Sequence, residues 1–549
     1  MDESQVSTLS VLLATSVTLS VILYYRYAKI YSYWKERNVP GPEPMYLFGH
    51  LLHFYRDHIT DYKMKCTKKF GRVWGYFEGQ KPALSIADPE VAVQVCIKDF
   101  NVFPNHRQNR LFNHFQKKFL FAQQDDQWRR LRALISPTFT SGKMRKMVKL
   151  LEKCVNDLDL AISEQIDEGK SSAVINVKDT YSLYTMDAIT TCCYGLKLER
   201  VKNTNNLKTM SSRNEFVRDS LKLFEFNIKR LVFMQMIPES LLDLMGFYLT
   251  PMSKLMPVIT KVSKVIEMRR KSPTKLDDYL QSIMEAKLSN KVELDHLDTQ
   301  ENHHAYLTND TIQKDQEGLA SSVEKDTEKQ SNVGFLNEEE IVANAVFLMV
   351  VGLETTANLL SATTYALAHH QSIQDRLREE VRKIVSFDEK HEPYVDYASV
   401  TSCNYLDAVL SETLRRLPTV NQTDRVNNQD YTIEKYQIFL PADSKITIDI
   451  KNIMLSEEYW PNPERFDPER FMPENKDKIV PGSYLPFGIG PRHCVGMRFS
   501  LTESKMALAR LILKYKFSSV PGTSFPPPER HSLGLRRFDN ICVVAERLT

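Results

Sequence analysis

The chain has 549 residues, of which 42% are hydrophobic and 26% are charged, so it contains enough apolar material for a large buried core. Its formal net charge of +3 is small for this length, which argues against a protein that binds nucleic acid through phosphate contacts. The eight cysteines have no regular spacing, which argues against a disulfide framework and favours a reducing compartment.

The N-terminal segment is predicted to be a membrane anchor. No charged residue lies between Glu3 and Arg26, and a helix of this length, roughly 33 Å, can cross a hydrocarbon core of about 30 Å. Basic residues follow the segment, so the positive-inside rule places the rest of the chain in the cytosol. A cleaved signal peptide is disfavoured because it would need a basic start and a small-residue cleavage site. We expect the anchor and its basic flank at residues 1–37, with an interfacial aromatic cluster of Tyr24, Tyr25, Tyr27 and Trp34.

Residues 38–549 are predicted to form one mainly α-helical domain with small β-sheets, an α+β fold. The segment Pro40-Gly41-Pro42-Glu43-Pro44 predicts a stiff, non-helical hinge, because proline fixes its own φ and restricts the residue before it. Strands are expected at Phe70 to Ile86 and at Tyr431 to Ile450. A polar insert at about 291–332 is expected to be solvated, and its His303-His304 pair lacks a third ligand at helical spacing.

A further apolar stretch runs from Leu241 to Met256 and is rich in leucine, methionine and aromatic residues. Such a patch could dip into a bilayer. It could equally be an ordinary contact between two helices of the core.

Asn337 to His370 is predicted to be one long buried helix. Asn337 can cap its N-terminus in a capping box with Glu340, and the run that follows is apolar on nearly every side. Inside it, Gly352-Leu353-Glu354-Thr355-Thr356 places a glycine, a buried acid and a hydroxyl that can bond back to the carbonyl of Val351. These locally unfavourable choices indicate a functional site. Taken alone, the same residues could equally be structural, with Gly352 allowing close packing and its polar neighbours satisfied by hydrogen bonds.

Two features lie near the C-terminus. Glu412 and Arg415 fall on one face of a predicted helix, an arrangement that is usually a surface ion pair. Cys494 lies in Phe487-Gly488-Ile489-Gly490-Pro491-Arg492-His493-Cys494-Val495-Gly496, with no second cysteine nearby. Zinc and disulfide sites are therefore poor explanations, whereas a single thiolate presented by glycines beside an arginine suits an axial ligand to haem iron.

The decapeptide around Cys494 resembles the haem-binding signature of the cytochrome P-450 superfamily, Phe-x-x-Gly-x-Arg-x-Cys-x-Gly, at every fixed position. The segment from Trp128 to Met144 closely resembles the drug-oxidising subgroup of animal microsomal members. The resemblance covers essentially the whole chain beyond the anchor, and the polar insert is its least similar part. It implies the cytochrome P-450 fold with an N-terminal single-pass anchor in the endoplasmic reticulum membrane, a cytosolic catalytic domain, and a haem-thiolate monooxygenase activity on a lipophilic small molecule.

The resemblance also implies which residues hold haem b. Cys494 would ligate the iron, and Phe487 opens the signature around it. The haem propionates would be held by four residues that match family positions: Trp128, Arg132, Arg425 and Arg492.

Glu354 and Thr355 match the distal oxygen-activation motif of the family. By that match Thr355 would hydrogen-bond the bound oxygen and Glu354 would belong to the proton relay. Val351 stands where the family usually has alanine or glycine, and its methyl groups would narrow the oxygen groove or push substrate aside.

Glu412 and Arg415 resemble two members of a buried Glu/Arg/Arg triad that braces the loop beneath the haem. Arg470, in Pro468-Glu469-Arg470-Phe471, would complete the triad. Pro463-Glu464-Arg465-Phe466 repeats that tetrapeptide, and the second copy is preferred because its distance from the cysteine loop is closer to the family's usual spacing.

The chain has no Gly-x-Gly-x-x-Gly after a strand and no length for a fused flavin domain, so its electrons must come from a separate protein. The resemblance implies a membrane-bound NADPH–cytochrome P-450 reductase and leaves room for a helper haem protein of the cytochrome b type. A basic stretch is either the surface on which the reductase docks or a solvated helix face: Lys143, Arg145, Lys146 and Lys149.

In the resembled subgroup, the loop before the Trp128 helix lines the substrate pocket. Here that loop carries five phenylalanines that could do so or could belong to the core: Phe103, Phe112, Phe115, Phe119 and Phe121.

Two other functions are weighed against a monooxygenase. A haem-thiolate isomerase or dehydratase of lipid peroxides would work without a reductase, but such relatives tend to lose the pair that is intact here in Glu354 and Thr355. A non-catalytic haem sensor or carrier is the weakest of the three, because the chain keeps both this pair and the anchor.

Overall fold

The computed structural model describes residues 3–56, 59–108, 111–166, 170–197, 215–223, 234, 237, 239–286, 335–387, 393–530, 535–538 and 541–548. The polar insert predicted at 291–332, with His303-His304, lies outside the described residues. Within them the chain is mainly helical with small β-sheets, as predicted.

The helices differ widely in length, and the longer ones form the body of the domain. The N-terminal part of the chain contains α1 Glu3–Tyr31, α2 Leu51–Arg56, α3 Ile59–Phe70, α4 Pro89–Val93, α5 Asp125–Ile135, α6 Ser141–Gln165, α7 Val177–Tyr194, α8 Glu215–Lys222, α9 Glu239–Leu244, α10 Met252–Lys271 and α11 Tyr279–Glu285. The C-terminal part contains α12 Glu338–His369, α13 Gln371–Ile384, α14 Tyr397–Ser402, α15 Asn404–Arg416, α16 Ile450–Met454 and α17 Met497–Lys514. A π-helical turn, Gln94–Lys98, follows α4. The 3₁₀ turns are Gln116–Lys118, Ser136–Phe139, Glu434–Tyr436, Pro468–Phe471 and Pro473–Lys478.

The strands form one four-stranded sheet, one three-stranded sheet and several ribbons. They are β1 Val73–Glu78, β2 Lys81–Ile86, β3 Ser172–Asn176, β4 Ser386–Phe387, β5 Pro393–Tyr394, β6 Thr423–Val426, β7 Tyr431–Ile433, β8 Ile438–Leu440, β9 Lys445–Ile448, β10 Tyr515–Ser519, β11 Glu529–Arg530, β12 Arg537–Phe538 and β13 Cys542–Arg547. The larger sheet has the order β1-β2-β9-β6, and the smaller one has the order β10-β13-β3. In the larger sheet β2 and β9 are parallel, whereas β1 with β2 and β6 with β9 are antiparallel.

The strand region predicted from Phe70 to Ile86 is confirmed as the β1–β2 hairpin. The single strand predicted from Tyr431 to Ile450 is wrong in extent, because it divides into β7, β8 and β9. Gln437 and Asp443 have left-handed backbone, with φ of 52° and 62°, so the chain turns at both points. As a result β7 pairs with β8, while β9 joins the larger sheet.

Helix α12 lies in the helical core, where it packs against α7, α10, α15 and α17. Its capping box forms as predicted: Asn337 Oδ1 accepts from Glu340 N at 2.9 Å, and Glu340 Oε2 accepts from Asn337 N at 3.0 Å. Most of the helix is buried, because it is apolar nearly all round. The long buried helix is therefore confirmed.

From Val11 to Arg26 helix α1 is exposed along its whole length. Of the described helices, two are long and apolar enough to cross a membrane. Val11–Tyr31 is 6% buried, whereas α12 is 72% buried and belongs to the core. Tyr24 and Tyr25 are exposed, as an interfacial position requires.

The end of α1 belongs to the domain rather than to the exposed segment. Tyr27 and Trp34 are buried in the cluster that includes β1 and β2, so their predicted place in an interfacial aromatic cluster is wrong. Trp34 Nε1 donates to the Tyr76 carbonyl at 3.0 Å. The Trp34 ring covers Gly75 so closely that a Cβ added there would lie 2.4 Å from it. The proline-rich segment is non-helical, as predicted, and it is tied to the same strand because Pro40 O accepts from Gly75 N at 2.8 Å.

Candidate functional site

The cysteine loop between the 3₁₀ turns and α17 presents one thiol. Of the eight cysteines, all free, Cys494 is the exposed one. The loop closes on itself, since Cys494 N donates to Phe487 O and His493 N donates to Gly490 O, both at 2.9 Å. Burial nevertheless raises the pKa of the Cys494 thiol. The thiol is therefore accessible to solvent although the protein surrounds it densely.

Gly490 fixes how the cysteine loop meets the rest of the domain. Its φ is 74°, and a Cβ there would lie 1.9 Å from the Cys96 carbonyl oxygen in the π-helical turn after α4. A side chain at this position would push the loop away from that turn. The glycine therefore sets the depth at which Cys494 lies.

The structure brings three of the predicted cofactor-binding residues together beside Cys494. From α5, Arg132 Nη1 donates to the His493 carbonyl at 3.0 Å. Arg492 Nε donates to Pro104 O at 2.8 Å. The Arg492 guanidinium also lies 4.1 Å from the ring centre of buried Trp128, a cation–π distance.

Two of the arginines carry buried donors that have no partner. Arg425, on β6, is 2% exposed, and its Nη1 approaches His106 Nδ1 at 3.3 Å. Both Arg425 Nε and Arg492 Nη1 are buried without a hydrogen bond. An unpaired buried donor is costly, so these atoms indicate that an acceptor belongs there.

Positive charge accumulates at the same place. Burial, together with the charges of Arg425 and Arg132, lowers the pKa of Arg492 to about 9. Burial lowers the pKa of Arg132 to about 10. Asp424 adds a negative charge, its Oδ1 lying 3.5 Å from His106 Nδ1, while burial and the charge of Arg425 lower the pKa of His106. A ligand with two carboxylates would relieve this repulsion.

The residues present therefore fit a haem. Cys494 offers the thiolate, and Arg425 and Arg492 offer unpaired donors for the propionates. A protein-bound metal centre is a poor alternative, because no group of three His, Cys, Asp or Glu side chains in the described part of the chain could hold an ion.

The middle of helix α12, where residues 347, 348, 350–352 and 355 are partly exposed, presents a face that is less buried than the rest of the apolar run. Phe347, Val351, Gly352 and Thr355 lie on it at helical spacing. Thr355 Oγ1 donates to Val351 O at 2.8 Å, the back-bond predicted from the sequence. The next hydroxyl, that of Thr356, donates to Ser500 Oγ on α17 at 3.0 Å. This bond ties the Glu354-Thr355 segment to the helix that follows Cys494.

Glu354 is 1% exposed and has a partner that sequence reasoning missed. Lys178, at the start of α7, places its Nζ 3.2 Å from Glu354 Oε2. The two residues are far apart in the chain, and no motif links them. The packing alternative for the neighbouring glycine has a basis too, since a Cβ on Gly352 would lie 2.8 Å from Ile189 Cδ1 of α7.

The three residues predicted as a triad lie together. Arg415 Nε and Nη2 donate to Glu412 at 2.7 and 2.9 Å, and both side chains are fully buried. Arg470 Nε lies 3.7 Å from Glu412 Oε1. Glu412 Oε1 also accepts from Asp467 N at 2.8 Å. The group thus joins α15 to the loop segment 461–471.

Comparison with known proteins agrees with this geometry. The family model described as "Cytochrome P450" matches residues 39–538. Cytochrome P450 3A16 of Mus musculus is 33% identical over 94% of this chain and 93% of its own length. Cytochrome P450 3A12 of Canis lupus familiaris is 31% identical over 93% of this chain and 92% of its own length. Since the family model covers most of the chain and these relatives align along nearly all of it, the chain belongs to the cytochrome P-450 family of haem-thiolate monooxygenases.

Proposed function

We propose that this protein is a membrane-anchored monooxygenase that oxidises a lipophilic small molecule of the xenobiotic, steroid or fatty-acid-like kind, with NADPH electrons delivered by a separate reductase. The observation that carries the proposal is the accessible Cys494 thiol beside buried arginine donors without partners. When bound, haem supplies the activation of O₂ and the transfer of one oxygen atom to substrate.

The chain's own residues would hold that cofactor from two sides. Cys494 Sγ ligates the iron, and Phe487 supplies the carbonyl that fixes the cysteine backbone. Arg425 Nε and Arg492 Nη1 donate to the propionates, while Trp128 supports the Arg492 guanidinium. Arg132, bonded to the carbonyl next to Cys494, couples the propionate side to the ligand loop.

Glu354 and Thr355 would carry protons across α12. Glu354 is held by Lys178 on the α7 side, and Thr355 presents its hydroxyl on the partly exposed face. Adjacent residues on these two sides can hand a proton from the interior of the bundle to the substrate side of the helix. An intact pair favours oxygen chemistry over reductase-free isomerisation.

Thr355→Ala is expected to divert electrons into hydrogen peroxide and to lower product formed per NADPH by about tenfold, because the hydroxyl that positions the proton is lost. Peroxide and product are measured together with a reconstituted reductase. Thr355→Ser should restore most of the coupling. Thr363→Ala is the matched control, since Thr363 Oγ1 makes the same back-bond on α12, to Leu359 O at 2.8 Å. Unchanged coupling in Thr355→Ala would remove the proposed role.

The electron donor is proposed to be the membrane-bound NADPH–cytochrome P-450 reductase, with a cytochrome b-type protein as a second donor. The predicted docking stretch on α6 is only partly available. Lys143 and Lys146 both pair with Asp277, and the Arg145 guanidinium lies 5.9 Å from the centre of the Tyr397 ring, whereas Lys149 is exposed. The positive charge that this stretch offers to an acidic partner is therefore smaller than its sequence indicates.

The protein is proposed to lie on the endoplasmic reticulum membrane with its catalytic domain in the cytosol. The exposed apolar part of α1 and the basic residues after it support this orientation. A second contact is available at 241–256, where several apolar side chains are exposed: Leu241, Leu244, Met245, Met252 and Met256. Leu242 and Leu255 are buried, so part of this stretch is ordinary core.

Two truncations separate the anchor from the domain. We propose that the domain begins near Tyr27 rather than at residue 38, with the hinge at 40–44 packed on β1. Removing residues 1–25 should leave the unfolding free energy nearly unchanged, whereas removing 1–37 should lower it by at least about 3 kcal/mol, since buried Trp34 is lost. Urea unfolding in detergent-free buffer measures the unfolding free energy of the two truncated proteins. Equal stability of the two proteins would contradict the revised boundary.

A further inference from the structure

The loop that carries Phe115 and Phe119 is fastened to α12 by a single buried side chain. Asn344 is 1% exposed. Its Oδ1 accepts from Leu120 N at 2.8 Å, and its Nδ2 donates to Lys118 O at 3.2 Å and to Glu340 O at 2.9 Å. Both ends of the amide are therefore engaged, and the two loop groups, Leu120 N and Lys118 O, would lose these bonds if the loop moved away.

Aromatic contacts reinforce the same attachment. The rings of Phe119 and Phe347 are stacked, with centroids 5.1 Å apart and an interplanar angle of 30°. Phe115 meets Phe119 edge-on at 5.7 Å. Outside them, Lys118 forms an ion pair with Glu339 in the first turn of α12. The loop is thus fixed by hydrogen bonds, ring contacts and a charge pair.

This attachment closes one end of the partly exposed face of α12. Phe347, Val351 and Thr355 follow one another at intervals of four residues along that face. At 1.5 Å per residue, the rise along the helix axis from Phe347 to Thr355 is about 12 Å. Val351 lies halfway and adds two methyl groups to the wall. Along this face Thr355 is therefore followed by the branched side chain of Val351 and then by the aromatic ring of Phe347.

We propose that Asn344 latches the phenylalanine loop onto α12 and thereby selects compact lipophiles that carry an aromatic ring. The proposal rests on the proposed monooxygenase function and names its substrate class. A small ring-bearing molecule beside Thr355 would lie against Val351 and the edge of the Phe119–Phe347 stack with the loop in place, and ring contacts there are favourable. A bulky molecule must first release the loop, which breaks the buried Asn344 bonds and the stack together.

The test uses the full-length holoprotein and two nitrogen ligands that bind haem iron from the substrate side: an imidazole with one phenyl ring and an imidazole with a triphenylmethyl group. Difference spectra give both affinities. Asn344→Ala is expected to raise the relative affinity of the bulky ligand by at least about tenfold, because it removes both hydrogen bonds to the loop and the loss of one buried hydrogen bond already corresponds to about that factor. Phe347→Ala should shift the ratio in the same direction. In the wild-type protein the Leu120 amide should resist hydrogen exchange, and Asn344→Ala should release it.

Asn358→Ala is the matched control. Asn358 is also a buried asparagine of α12, and its Nδ2 donates to a backbone carbonyl, that of Arg536, at 2.9 Å. The Asn358→Ala substitution should lower stability without changing the ratio of the affinities for the bulky and the small imidazole. An unchanged ratio in both Asn344→Ala and Phe347→Ala, or rapid exchange at Leu120 in the wild-type protein, would overturn the latch. If Asn344→Ala does not fold, Phe347→Ala and the wild-type exchange rate decide. Absence of any spectral shift with either ligand would instead reject the haem site itself.

Discussion

Cys494→Ser is expected to eliminate the red-shifted Soret band of the reduced carbonyl complex and to lower turnover by at least about 100-fold. The band reports a thiolate on the iron, and a serine hydroxyl cannot supply that electron donation. Burial raises the pKa of the Cys494 thiol, so the thiolate depends on the bound metal, which deprotonates a coordinating thiol. The spectrum of the dithionite-reduced, carbon monoxide-treated protein and the rate of substrate oxidation measure both effects.

Cys542→Ser provides the matched comparison. Cys542 is the other cysteine that is not fully buried, and it lies on β13, in the β10-β13-β3 sheet. This substitution should leave the carbonyl spectrum and the turnover unchanged. If Cys494→Ser kept the red-shifted band, the thiolate would have to come from another residue and the site would be misassigned.

The sequence was most informative where structure is decided locally. The capping box of Asn337 and Glu340 and the back-bond of Thr355 involve residues within one turn of each other, so spacing alone predicts them. The long apolar run of α12 likewise determines its burial. The chemistry expected of Cys494 followed from the absence of a second cysteine near it in the sequence, which can be seen without any knowledge of tertiary contacts.

Contacts between distant segments could not be read in this way. Lys178 and Glu354 meet because α7 packs against α12, and Asn344 of α12 bonds to Leu120 in the loop before α5. Trp34 follows an apolar membrane-like segment, so its sequence context indicates an interface. The close approach that Gly75 permits places it in the core instead. Side-chain partners of this kind depend on packing that no local pattern encodes.

The fully buried Glu412–Arg415 pair is the other position where a single substitution should have a large effect. Glu412→Ala leaves the Arg415 guanidinium without its counter-charge in a site from which water is excluded. Removing one partner of a buried ion pair costs about 3–5 kcal/mol. It also frees Asp467 N, which Glu412 Oε1 holds at 2.8 Å. We expect a lower free energy of unfolding by urea, together with a reduced haem content in the purified protein.

The control for Glu412→Ala is Glu380→Ala on α13. Glu380 and Lys383 have the same spacing as Glu412 and Arg415, and Glu380 Oε1 lies 2.8 Å from Lys383 Nζ, but the pair is exposed. Such a surface pair contributes about 0–1 kcal/mol, so this variant should retain both its stability and its haem. Similar losses in the two variants would mean that burial does not decide the effect. A stability loss confined to Glu412→Ala with normal haem content would mean that the group stabilises the domain without bracing the cysteine loop. We expect haem content to fall in Glu412→Ala as well, because the Tyr484 hydroxyl donates to the Ser411 carbonyl at 3.2 Å, next to Glu412 on α15, and the chain enters the cysteine loop three residues later, so a shift of this part of α15 is passed to that loop.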